Sequence, residues 1–214
     1  MAGLPVTDLE GMRGKVLDWA DRTDLADSLY DDFINIAIDK ANRFLRLEDR
    51  VVIPTLPVTD GQVNVPDSYL ETKNIFVEAN DRKWALERKS DAEVQALKNR
   101  PYGYTTWDTY QGYPSYFARS GSVFNLAPNE ASIDEVELAY WAEVEALVDN
   151  TDTNWLITDA TTAILYGSLV ELSNYIMDEE AAAQWDAKFA AELQLLQTQS
   201  DEEKWSGNTI SISL

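Results

Sequence analysis

The chain has no cysteine and no histidine in 214 residues. That removes thiol nucleophiles, disulfides, imidazole general bases and most zinc chemistry together. Positive charge is scarce as well: 17 Lys and Arg stand against 38 Asp and Glu, a net charge of −21. A grip on nucleic acid needs clustered Lys and Arg at the phosphates, so a nucleic-acid-binding role is disfavoured. Acidity of this degree favours solubility, and it does not exclude a surface past which DNA slides without sticking. A long apolar run is missing too. The stretch between Asp159 and Asp178 has Glu171 as its only charge, but Thr161, Thr162, Ser168, Ser173 and Asn174 interrupt it, and a membrane span needs about 20 predominantly apolar residues. The Met1 end has neither a basic nor an apolar leader region, so synthesis in the cytoplasm is expected. What the chain does have is 45% hydrophobic residues, with seven Trp and ten Tyr, enough to build a packed core.

Thr7-x-x-Glu10 spells a capping box and predicts a helix to about Asp21. Apolar residues from Leu25 to Leu47 at helical spacing predict a second helix, Asp24 to Leu47. Then the period changes. Val51–Ile53 is β-branched, and Leu56–Val65 reads as a hairpin turning at Asp60-Gly61. Ser68-x-x-Glu71 predicts one helical turn, and Ser90-x-x-Glu93 a short helix ending near Asn99. Strands are expected at Asn74–Glu78, Lys83–Arg88, Tyr116–Arg119, Val123–Leu126 and Val136–Trp141, with a turn at Asn80-Asp81. Helices return at Trp155–Met177 and Glu179–Gln199. The expected class is α+β: a helical bundle formed by the N- and C-terminal helices, with a β-rich insertion and an extended C-terminal tail. The expected division is residues 1–50 and 149–200 helical, 51–148 β-rich, and 201–214 tail.

No carboxylate spacing stands out as a catalytic pair among so many acidic residues. Gly11 and Gly14 lack the Lys-Ser/Thr that ends a phosphate-cradling loop. Neither a cofactor nor a metal site is expected, and the chain reads as a non-enzyme. Three features have alternative readings. Tyr102, Tyr104, Trp107, Tyr110 and Tyr113 lie in an irregular segment and either pack back on the β-rich part or meet a partner. Ala160, Ala163 and Gly167 form a small-residue stripe on the uncharged helix, which lets another helix approach closely. That helix comes either from the same chain or from a neighbouring subunit. Residues Thr209, Ile210, Ser211, Ile212, Ser213 and Leu214 alternate with a period of two, as a disordered end by chance or as a strand that adds to a partner's sheet edge.

The segments "TDGQVNVPDSYLETKNIFV" (59–77), "GYPSYFARSGSVFNLAP" (112–128), "VELAYWAEVEAL" (136–147) and "TNWLITDATTAILYGSLVELSNYIMDEEAAAQW" (153–185) follow one another in an order that resembles the head-to-tail adaptor proteins of short-tailed bacteriophages, the tail tubular protein A group. The similarity covers about residues 24–200. The resemblance implies a structural virion protein at the head–tail junction: a ring, generally a dodecamer, between the capsid portal and the tail. Its partners would be its own copies, the portal, and a tail nozzle or other tail protein, with genomic DNA passing through unbound. It further implies that helical domains pack side by side, that the C-terminal tail reaches the portal, and that the family brings no shared catalytic residues. Under this reading a ring neighbour covers the Ala160/Ala163/Gly167 stripe, and Gly167→Leu is expected to harm assembly more than folding. Two rivals stand beside it: another head-completion or neck protein, and a carboxylate-based glycan hydrolase or glycan-binding module.

Overall fold

Helix periodicity at both ends of the chain and strand periodicity in the middle are realised as two separate units. The computed structural model describes residues 6–22, 24–98, 113–128 and 133–205. The helical unit comprises Met1–Asp49 and Glu143–Leu214, and the β unit Arg50–Ala142. The architecture is α+β, as the order of periodicities predicts. The aromatic positions 102, 104, 107 and 110 and the whole segment 209–214 lie outside the described residues.

In the helical unit, α1 spans Leu9–Ala20 and α2 spans Asp27–Phe44. The cap of α1 is Asp8 rather than Thr7, with a carboxylate oxygen accepting from the Gly11 N–H at 2.8 Å. Glu10 then falls one position short of where a capping box closes. The first N–H groups of the helix, on Leu9 and Glu10, donate to the carbonyls of Asp152 and Asn150 at 3.0 and 3.1 Å. These are donors that a helix start otherwise leaves unpaired.

The predicted helix 155–177 is two helices, α4 (Trp155–Thr158) and α5 (Thr161–Tyr175). Ala160 leaves helical geometry at φ −114°, ψ 29°. The Thr161 hydroxyl donates to the Ile157 carbonyl at 2.6 Å across the break, a side-chain bond that competes with the helix ladder. Met177 at φ 62° reverses the chain, and α6 runs Glu179–Trp205. Residues 201–205, expected in the tail, therefore continue α6. Here Lys204 reaches Glu48 at 3.4 Å, and the Ser200 hydroxyl accepts from the Glu48 N–H at 2.8 Å.

The helical unit also claims residues 143–148, which the sequence pattern placed in the β-rich part. Two asparagines on α2 hold this extended segment. Asn42 donates to the Val144 carbonyl and accepts from the Val144 N–H, both at 3.0 Å. Asn35 does the same with Leu147, both at 2.9 Å. A side-chain amide here stands in for the edge of a neighbouring strand, and Leu147 enters the helical core. Asn42→Ala removes a donor and an acceptor from a buried site, which costs about 1–3 kcal/mol. We expect the urea midpoint to fall with an unchanged m-value; an unchanged midpoint would show that water replaces the amide at no cost.

In the β unit, β1 (Val51–Val52), β2 (Thr55–Pro57), β4 (Tyr69–Ala79), β5 (Arg82–Ala85) and β9 (Glu135–Ala142) form one antiparallel sheet, with β9 paired to β1, β2 and β4. The other sheet has the order β3 (Gln62–Asn64), β8 (Val123–Ala127), β7 (Tyr116–Ser120), β6 (Glu87–Arg88). Both sheets contribute to one core that includes Val63, Ile75, Phe124, Leu126 and Leu138. The turn at Asp60-Gly61 has both residues at positive φ, 52° and 68°. The two flanking strands do not form a hairpin: β2 pairs β9, β3 pairs β8, and a single bridge, Thr59 to Gln62, joins the arms.

A similar switch splits the expected strand 83–88. Leu86 is buried, its N–H donating to the Ile75 carbonyl at 2.8 Å, and the chain crosses from β5 to β6 on either side of it. Ser68-x-x-Glu71 caps no helix, because β4 starts at Tyr69 and its residues are taken into the ladder with β9. Ser90-x-x-Glu93 does close as a capping box. The Ser90 N–H donates to Glu93 at 3.0 Å and the Ser90 hydroxyl accepts from the Glu93 N–H at 3.3 Å, opening α3 (Asp91–Lys98).

Candidate interaction surfaces

The uncharged helix α5 is the central helix of its unit. Ala163, Ile164, Leu165, Gly167, Ser168, Leu169, Val170, Leu172 and Ser173 are all buried, and its one charge, Glu171, pairs with Lys40 of α2. A helix covered on almost every side by its own chain has no use for charge. The stripe Ala160/Ala163/Gly167 is therefore not a surface for a neighbouring subunit. A Cβ on Gly167 would lie 2.8 Å from the Ala37 Cβ and 3.1 Å from the Phe189 ring. Helices α2 and α6 of the same chain use the close approach that the small side chains permit.

The outside of α6 has a different character. Its inner face buries Ala182, Phe189, Leu193 and Ser200. Its outward face carries Gln184, Ala187, Ala191, Gln194, Leu195 and Thr198, all exposed and none charged. They share a face because a helix advances about 100° per residue. At one border Lys188 sits 4.0 Å over the Trp185 ring, which stacks on Tyr166 of α5 at 5.6 Å and meets Trp19 of α1 edge-on at 5.9 Å. At the other border Ala183 and Asp186 join Lys40, Val170 and Asn174 around a groove of about 340 Å³. Trp185, Phe189, Leu193 and Leu196 turn the apolar side of α6 to the helical core, and alanines and glutamines at intervals of three and four mark the opposite face in the sequence.

Charge is unevenly divided. The helical unit holds 25 of the 38 acidic residues and 8 of the 17 basic ones, a net −17, against −4 for the β unit. Several cations in the helical unit are committed internally. The Arg13 guanidinium donates to both oxygens of Asp31 at 2.7 and 2.8 Å and to Asn150 at 2.9 Å. The hydrogen bond to Asp31 raises its pKa above the ordinary arginine value against the opposing effect of burial, so it stays charged. In the β unit burial pushes the Lys98 ammonium down, opposed by Asp91; Lys98 donates to buried Asn125 at 2.9 Å and so ties α3 to β8.

A cleft of about 430 Å³ in the β unit is lined by Phe76, Glu78, Lys83, Glu135, Val136 and Glu137 among others. Lys83 bridges it to Glu137 and lies 5.3 Å over the Phe76 ring. Among the described residues no three Asp or Glu side chains gather into a metal-binding group. Of the five aromatics singled out, Tyr113 is described: half-buried, it meets the Trp84 ring edge-on at 6.1 Å. The Trp84 indole N–H donates to the adjoining Pro114 carbonyl at 2.8 Å, fixing the ring that Tyr113 rests on.

A family model described as SU10 adaptor protein matches residues 7–211. No curated protein matches the chain.

Proposed function

The chain belongs to the SU10 adaptor protein family, and from that premise we propose that it forms the ring, a dodecamer, that joins the capsid portal to the tail and lines the DNA passage. A phage head-to-tail adaptor is a structural virion component, and association with portal and tail proteins goes with that role. The family match over residues 7–211 carries the reading. The charge division supports it: a helical unit at net −17 facing the passage repels the DNA backbone, so the genome moves without being held. In this reading residues 209–214 add as a strand to the portal, with Ile210, Ile212 and Leu214 on one side of the backbone. The aromatics Tyr102, Tyr104, Trp107, Tyr110 and Tyr113 meet the tail.

The test is co-sedimentation with purified portal rings, with electron microscopy of the pellet. The full chain is expected to pellet as a ring stacked on the portal. Deleting residues 206–214 should leave a folded protein that stays in the supernatant, since every described helix and strand precedes the deletion. A full chain that never leaves the monomer peak in the presence of portal would overturn the ring; a truncated chain that still pellets would free the tail of its role.

A further inference from the structure

We infer that Gln197, Ser200 and Lys204 are positioning residues: they hold the end of α6 in one direction and so aim the segment 206–214 at its partner. The inference rests on the tail reading above and names what sets the starting point of that tail. Among the described residues, Leu196 is the last of α6 to pack against the apolar core of its unit. The helix nevertheless runs on to Trp205, about 13 Å further at about 1.5 Å per residue. Helix ends that few apolar contacts cover tend to fray. This one is clasped by polar bonds.

Gln197 takes both backbone groups of Arg46. Its side-chain oxygen accepts from the N–H at 2.8 Å, and its amide nitrogen donates to the carbonyl at 3.3 Å. This repeats the two-way grip of Asn42 on Val144 and of Asn35 on Leu147. One turn on, the hydroxyl of Ser200, a buried residue, accepts from the Glu48 N–H at 2.8 Å. One turn further, Lys204 lies 3.4 Å from the Glu48 carboxylate. Steps of three and four keep the three side chains on the face that Phe189 and Leu193 begin. The base of the clasp is firm, because Leu45 and Leu47, on either side of Arg46, are buried in the helical core. The direction of α6 is thus fixed as far as Lys204, and the chain passes from there into residues 206–214. A binding segment whose first residue is already placed loses less freedom on docking. With the clasp open, the residues from 197 onward have to be ordered as well.

The experiment titrates portal rings by co-sedimentation with the wild type, Q197A/S200A, the 206–214 deletion, and a full chain with Gly-Ser-Gly-Ser inserted after Trp205. Thermal melting and amide exchange accompany each. In Q197A/S200A the amides of Arg46, Glu48 and the end of α6 are expected to exchange faster. Docking should weaken about tenfold or more, the cost of fixing even one residue's backbone again. The insertion leaves the clasp intact, so it should melt and exchange like the wild type through Lys204 and still dock more weakly. Wild-type docking by Q197A/S200A or by the insertion, beside a deletion that does not dock, overturns the inference and leaves the tail reading standing. Unchanged exchange at the end of α6 in Q197A/S200A overturns it too, since something else then holds the helix. A deletion that docks like the wild type removes the tail reading, and the inference with it. Should Q197A/S200A melt early, the insertion decides alone.

Discussion

Gly167→Leu abolishes folding rather than assembly. The Cβ alone would stand 2.8 Å from the Ala37 Cβ and 3.1 Å from two atoms of the Phe189 ring. Ala37 is completely buried on α2 and Phe189 is 4% exposed on α6, so neither neighbour can swing into solvent. Overpacking by a few methylenes usually costs about 1–3 kcal/mol. A leucine here wedges α2 and α6 off the central helix at once, and the loss should exceed that range. Against a total stability of about 5–15 kcal/mol, the variant should be largely insoluble, with no cooperative melt in the soluble remainder. Gly167→Ala gives a graded control: helix propensity favours alanine by about 0.5–1 kcal/mol, but the Cβ contact outweighs it, and a lower melting temperature is expected. A Leu variant that melts like the wild type yet fails to assemble would move the stripe back to a subunit boundary.

The second large effect is expected at Arg13, buried to 8% exposure on α1. Its fork holds Asp31 through two bonds, reaches Asn150 through a third, and lies 3.7 Å from Asp27. Arg13→Met keeps the apolar stem and deletes the cation, leaving Asp31 beside Asp27 with no counter-charge. Breaking one side of such a pair costs about 3 kcal/mol, much of it the stranded carboxylate. A second variant separates charge from packing. R13M/D31L should recover most of the loss, since an apolar pair of similar volume replaces the ion pair without desolvation. No recovery in the double variant would show that Arg13 acts through packing alone.

Some local signals carried through to the structure and others did not, and the difference is physical. Ser90-x-x-Glu93 closed as a capping box because α3 is short and exposed, so local hydrogen bonds decide its start. Thr7-x-x-Glu10 lost to Asp8, because the N–H groups of Leu9 and Glu10 donate to Asp152 and Asn150 and so set the helix start at Leu9. Ser68-x-x-Glu71 lost altogether, because β4 contributes Ile75 and Val77 to the β core and that burial outweighs one capped turn. The pair Asp60-Gly61 correctly marked a turn. Which strands pair on either side is settled by partners about 60–80 residues away in sequence, and no local pattern reports them.

The sequence by itself determined the α+β class, the placement of helices around a β-rich middle, and the acidic, His-free, Cys-free chemistry. All of these depend on residue type and short-range period. Its segment order also resembled phage adaptors, and the chain does belong to an adaptor family. The tertiary structure alone decided what covers the uncharged helix. A small-residue stripe states that something packs closely against it, but not whose side chain does so; here Ala37 and Phe189 of the same chain fill it. The same holds for residues 143–148, which read as the end of a strand until Asn35 and Asn42 take their backbone groups into the helical unit. Period tells which face of an element is apolar. Only the fold tells which neighbour that face meets, because contacts between distant residues leave no local trace.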